Sequence, residues 1–237
     1  LLDGRDALEK YDAIGPSRTG GDLVDLGHLD SRRQTGKHAH GTQKIGICVN
    51  RLDPADRVEG LCAALAETFA GGTLVLRPHP AVRSRACWIQ MADRFGMRLS
   101  DPSAQDPLDF LTAVDVVVAG ESNILLEAAL LNVRPLYYDF PLERRDHYGF
   151  LEHGLVQCRY TEPAEVGQAV LRLCESDARA PRLRAKRYCA TVGTAYEGRS
   201  AELIYELLVS LLRDKKAPSG KWKKIPDTIN LEAYELA

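Results

Sequence analysis

Two short stretches of this sequence carry residue types suited to holding a phosphate and a sugar. The first is Arg77-Pro78-His79-Pro80. Proline locks its own φ and restricts the residue before it, so a histidine between two prolines has its direction set by the backbone. An imidazole held this way can donate to a phosphate or hold a base, and Arg77 adds a second, charged donor. The plainer alternative is a histidine that only caps a sheet edge. The second stretch is Gly120-Glu121-Ser122-Asn123, with Glu127 four residues beyond Asn123. A glycine turn into a helix start turns backbone N–H groups outward, where the helix dipole favours an anion. Ser122 adds a hydroxyl there, and Glu127, on the same side of the helix, is spaced to accept from ribose hydroxyls. The plainer alternative is N-capping by Ser122 and a solvated Glu127. Asn50-Arg51 forms a third polar stretch after an apolar run.

The elements needed to position these groups are legible around them. Ile45–Val49, Thr73–Arg77, Asp115–Ala119 and Arg134–Tyr138 are short apolar runs of the kind buried on both faces of a parallel sheet. Between the first two, Val58, Leu61, Cys62, Leu65 and Phe69 recur at helical spacing from Pro54 to Gly71-Gly72. A helix through Trp88 and Phe95 precedes a short strand near Met97–Leu99, and another helix runs from Pro107 to Ala113. Ile124, Leu125, Ala128 and Leu131 make one apolar face of the helix after Ser122. A charged, aromatic loop over 139–153 leads to a last strand around Leu155–Cys158, and helices near 162–176, 179–190 and 198–213 close the pattern. Strands alternating with helices, without hairpin turn signals, specify an α/β, Rossmann-like parallel sheet with helices on both faces. In such sheets ligands bind beyond the C-terminal strand ends, which is where all three polar stretches fall.

The 237 residues carry a formal net charge of −2, with 45% hydrophobic and 27% charged residues. That composition excludes wholesale disorder and argues against a nucleic-acid partner held by overall charge. No run of about 18 apolar residues is present. Six single cysteines, without a C-x-x-C pair, read as buried thiols of a reducing cytoplasm. His38-Ala39-His40 lacks a third ligand nearby, and no metal site is expected. No G-x-G-x-x-G follows the first strand, where Ile47-Cys48-Val49-Asn50-Arg51-Leu52-Asp53 stands instead, so an oxidoreductase ranks last.

Leu76-Arg77-Pro78-His79-Pro80 and Glu121-Ser122-Asn123-Ile124-Leu125-Leu126-Glu127-Ala128 together resemble the C-terminal, donor-binding half of GT-B glycosyltransferases. The likeness is nearest to bacterial surface-polysaccharide enzymes with an (Arg/Lys)-x-His-Pro motif, a group holding sialyl-, Kdo- and CDP-glycerol transferases. Where many relatives have Ser-Ser or Ser-Thr, this chain has Glu121-Ser122. Asp146-His147-Tyr148-Gly149-Phe150 and Gly154-Leu155-Val156 are similar to that group's loop into its last strand. Tyr196-Glu197-Gly198-Arg199-Ser200, with Leu203, Ile204, Leu207, Leu208 and Leu211, is similar to its closing helix.

The resemblance implies a metal-independent glycosyltransferase of surface-polysaccharide or capsule synthesis. It takes a nucleotide-sugar donor as substrate, needs no further cofactor, and passes the sugar to a glycan or lipid-linked acceptor. A cytidine donor (CMP-Kdo, CMP-sialic acid or a CDP-polyol) follows from the His-Pro likeness alone; UDP- and GDP-sugars stay open, as does a non-catalytic nucleotide- or sugar-binding module. His79 is the implied catalytic group. Asn50, Arg51, Arg77, His79, Gly120, Ser122, Asn123 and Glu127 are the implied donor-binding set. Residues 1–43 are expected to be the end of an N-terminal acceptor domain and its linker, 44–213 the donor-binding domain, and 214–237 a basic tail. Lys215, Lys216, Lys221, Trp222, Lys223 and Lys224 suit an anionic membrane surface, consistent with a cytoplasmic protein at the inner face of the membrane; a solvated linker is the alternative.

Overall fold

The computed structural model describes residues 43–81, 86–140, 142, 146–177 and 179–185, with single positions and short runs beyond them. The chain divides into two compact units, Gln34–Pro181 and Leu1–Arg33 with Arg182–Ala237. The candidate site lies wholly in the first.

That unit is a six-stranded parallel sheet: β1 (Lys44–Val49), β2 (Thr73–Pro78), β3 (Arg98–Leu99), β4 (Val116–Ala119), β5 (Arg134–Tyr138) and β6 (Arg159–Tyr160). The order is β3-β2-β1-β4-β5-β6, each pair parallel. The chain winds outward from β1 in one direction, then returns to the middle and winds outward from β4 in the other. The strand order therefore reverses between β1 and β4, and a crevice opens at their C-terminal ends.

The helices are α1 (Ala55–Thr68), α2 (Ala86–Arg94), α3 (Pro107–Leu111), α4 (Ile124–Leu130), α5 (Pro163–Glu175) and α6 (Arg179–Arg184). Val58, Leu61, Cys62 and Leu65 of α1 and Val166, Ala169 and Val170 of α5 bury against Ile45, Ile47, Val116, Val118 and Leu136 of the sheet. Each large aliphatic side chain buried this way contributes about 1.5–3 kcal/mol. Gly46, between Ile45 and Ile47, turns the other way in the strand alternation and faces Phe110 of α3. A Cβ there would lie 2.6 Å from Phe110 Cζ, so only glycine lets the ring rest on β1. Helices thus cover both faces, as the pattern of the sequence specifies.

The last strand is displaced from its expected place. Leu155 and Val156 are buried, but the Val156 N–H donates to Phe150 O at 3.1 Å inside the loop, and pairing with β5 begins only at Arg159. An antiparallel pair, β7 (Trp222–Ile225) with β8 (Ala233–Leu236), was not expected and falls within the stretch read as a basic tail. Residues 205, 206, 208–210, 212 and 213 are helical, where the last helix was expected. Residues 1–42 of the linker expected over 1–43, with His38 and His40 among them, Cys189, the run Tyr196–Ser200 and Lys215, Lys216 and Lys221 lie outside the described residues.

Among the described residues, Cys62 is buried and Cys48 and Cys174 are half-buried, but Cys87 and Cys158 are exposed, so the expectation of buried thiols fails for these two. No helix among the described residues is long and apolar enough to cross a membrane.

Candidate functional site

The crevice between β1 and β4 is walled by the expected strand ends. After β1 the chain turns sharply: the Asn50 N–H donates to Asp53 Oδ2 at 2.7 Å, and the Asp53 N–H returns to Asn50 O at 3.3 Å. Pro54 then opens α1. The turn places Asn50 and the exposed Arg51 at the crevice rim.

At the end of β2, the His79 N–H extends the ladder by donating to Val49 O at 2.9 Å. The side chain is exposed, and its Nδ1 accepts the backbone N–H of Ala81 at 3.1 Å. With Nδ1 occupied as an acceptor, the proton of the neutral ring sits on Nε2 and is free to donate. The stiffness expected of Pro-His-Pro is therefore completed by a hydrogen bond that selects the tautomer.

Arg77 precedes it on β2. It is 4% exposed, and its fork is occupied: Nη1 donates to Ser100 Oγ at 2.7 Å and Nη2 to Gln105 O at 2.9 Å. The guanidinium also lies 5.0 Å from the centroid of Phe110, the ring that rests on Gly46. Arg77 lends positive charge to the crevice wall, and two of its five N–H donors brace the 100–105 loop. Burial lowers its pKa, while the charges of Asp106, Asp101 and Glu127 act in the opposite direction.

Gly120 follows β4 directly. A Cβ there would meet Phe140 Cδ2 at 3.3 Å and Tyr138 O at 3.7 Å, so a larger residue would press on the Phe140 ring, which meets the Tyr138 ring edge to face at 4.8 Å. α4 begins at Ile124 with Asn123, not Ser122, at the N-cap and no side-chain capping bond. The plain alternative for Ser122, an N-capping serine, therefore does not hold. Glu121 turns to the next loop, where its Oε1 accepts the Tyr148 N–H at 3.0 Å.

Two adjoining clefts result. One, of about 410 Å³, is lined by Cys48, Arg77, His79, Ser122, Asn123, Glu127 and Tyr148, with Pro78, Pro80 and Pro107 as apolar wall. The other, of about 380 Å³, is lined by Arg51, Asp53, Gly120, Tyr137 and Asp139. Asn50, His79 and Glu121 border both. Every expected site residue thus lines one cleft or both. The Cys48 thiol is pushed up to about 12, chiefly by burial, and stays a neutral, poor nucleophile. Among the described residues no cluster of three His, Cys, Asp or Glu side chains is placed to hold a metal ion.

Polar lining residues outside the expected set include Asp53, Tyr137, Asp139 and Tyr148. Only Asp53 carried a local signal, its spacing of three from Asn50 in a turn. Burial, opposed by the Asn50 N–H bond, raises the Asp53 carboxyl to about 6. Burial, then the Glu121 and Asp139 charges, pushes the Tyr137 phenol above its usual range. Asp139 is buried and pairs with Arg159 at 3.5 Å.

No family model and no curated protein matches the chain. Solved structures do. A protein described as a UDP-N-acetylglucosamine 2-epimerase from Listeria monocytogenes aligns over 81% of this chain and 52% of its own, at 19% identity and a TM-score of 0.54. The S. aureus MnaA–UDP complex aligns over 91% of this chain and 55% of its own, at 16% identity and a TM-score of 0.52. The wall teichoic acid polymerase TagF aligns over 82% and 50%, at 13% identity and a TM-score of 0.47. The fold is Rossmann-like and of GT-B type. This chain spans about half the length of the structures it resembles.

Proposed function

We propose that the crevice holds a nucleotide-sugar donor and that the chain is the donor-binding part of a glycosyltransferase of surface-polysaccharide synthesis. The observation that carries this reading is that His79, Ser122 and Glu127, from the ends of β2 and β4 and from α4, line one cleft beside Asn50. His79 Nε2–H donates to the donor phosphate and stabilises the charge that develops on it as the glycosidic bond breaks. The Ser122 hydroxyl adds a neutral donor, and Glu127 accepts from ribose hydroxyls. The proline-lined wall takes the apolar face of the base. Arg77, held by Ser100 and Gln105, supplies a fixed positive field.

A cytidine donor is the form we favour, with uridine and guanosine donors as competitors. The sugar passes to a glycan or lipid-linked acceptor held by a further domain, at the cytoplasmic face of a membrane. Calorimetry with CMP, CDP, UDP, GDP and NAD tests the reading. Binding of at least one of the first four, weakened by His79→Ala, supports it. Binding of NAD with none of the four contradicts it.

A further inference from the structure

Nucleotide binding in the larger cleft leaves the smaller one to be explained. The two share His79, Asn50 and Glu121 as a common border. A phosphate on His79 therefore stands at the junction, and whatever it carries on its far side enters the smaller cleft. We propose that this second cleft receives the donor's transferable group and restricts it to neutral or amine-bearing sugars and polyols, rejecting those that carry a carboxylate. This rests on the reading of the first cleft as the nucleotide site.

The selectivity follows from the walls. Asp53 lines this cleft: its Oδ2 holds the Asn50 N–H, and its Oδ1 comes within 3.9 Å of where a Gly120 Cβ would be, so the carboxyl lies against bare backbone. Glu121 holds the Tyr148 N–H with Oε1, and a carboxylate has acceptor sites beyond that one bond. Asp139 is the third carboxylate, and Arg159 balances it at 3.5 Å. Against the two acids at Asp53 and Glu121 stands Arg51, the one guanidinium lining this second cleft among the described residues. Arg51 is exposed, so solvent and salt screen it. A sugar hydroxyl or ammonium entering here meets hydrogen-bond acceptors. A sugar carboxylate meets like charge in a partly desolvated space, which is a strong means of rejection. Of the donors implied by the His-Pro likeness, polyols suit this cleft and the acidic sugars do not.

The experiment is a set of titrations of the whole chain with matched donors. UDP, UDP-glucose and UDP-glucuronate form one series; CMP, CMP-N-acetylneuraminate, CDP and CDP-glycerol form the other. Each donor is scored against its own bare nucleotide. The expected result is that the neutral donor binds at least as tightly as its nucleotide and the carboxylate donor at least about tenfold more weakly than the neutral one. Asp53→Asn, and separately Glu121→Gln, then narrow that gap, each donor again being scored against its own bare nucleotide in the same variant. Equal or tighter binding of the carboxylate donors, or an unchanged gap in both variants, overturns the proposal. Failure of every bare nucleotide to bind overturns the nucleotide reading beneath it, and the two failures are told apart by that arm alone.

Discussion

The backbone N–H of Ala81 donates to Nδ1 of His79 at 3.1 Å, two residues back along the chain. This short bond ties the chemistry of the imidazole to the shape of the turn. It makes Nδ1 an acceptor, leaves Nε2–H as the outward donor, and holds the ring over the border of the two clefts. Removing the ring would remove the proposed phosphate donor without touching the core, because His79 is exposed. His79→Ala should weaken nucleotide binding by about 1.5–3 kcal/mol with little change in unfolding temperature. His79→Gln, which keeps an N–H at similar reach, should recover part of the loss. Titration calorimetry beside thermal melts checks both.

Arg77 should behave in the opposite way. Its removal strands Ser100 and the Gln105 carbonyl and takes a cation from above Phe110. Arg77→Ala should lower stability by about 2–3 kcal/mol, and Arg77→Lys, which keeps the charge but loses the fork, should recover less than half. Urea unfolding followed by circular dichroism measures the loss.

Glu121 ties the strand end of β4 to the 146–154 loop through the Tyr148 N–H. Glu121→Ala should cost about 1–2 kcal/mol and speed hydrogen exchange at the Tyr148 amide, while Glu121→Gln, still an acceptor, should protect that amide nearly as well. Equal exchange in all three proteins would show that the bond does not hold the loop.

Asp53 gives a pH signature. Its folded value, about 6, lies above the ordinary 3.8, so the folded state holds this proton more tightly than the unfolded chain does. Stability from this group is therefore full below about pH 4 and is lost as pH rises through about 6. Asp53→Asn cannot ionise, yet its side-chain oxygen still accepts from Asn50. The variant should be more stable than the parent by about 1–2 kcal/mol at pH 8, with the difference shrinking toward pH 4. Melts across that range test it, and a constant difference would contradict the assignment.

What was legible in the sequence was whatever depends on neighbours in the chain. β4 could be read because Val116, Val117 and Val118 are all fully buried, and a strand covered on both faces shows as an unbroken apolar run. His79 stood out because its prolines adjoin it. What stayed hidden joins residues far apart: Arg77 to Ser100 and Gln105, 23 and 28 positions away, and Glu121 to Tyr148, 27 away. No local pattern marks such pairs. The last strand was misplaced because Leu155 and Val156 are apolar for the loop's own packing, and burial alone does not tell a strand from a folded loop.

The proposed nucleotide site lies where the ends of β1, β2 and β4 converge. Mapping amide shifts during titration with CMP, CDP, UDP and GDP tests it most directly. A nucleotide bound there should perturb the amides of Asn50, His79, Ala81, Ser122 and Glu127 together, and His79→Ala should weaken the response. Perturbations that leave these five amides unmoved and cluster elsewhere on the chain would contradict it.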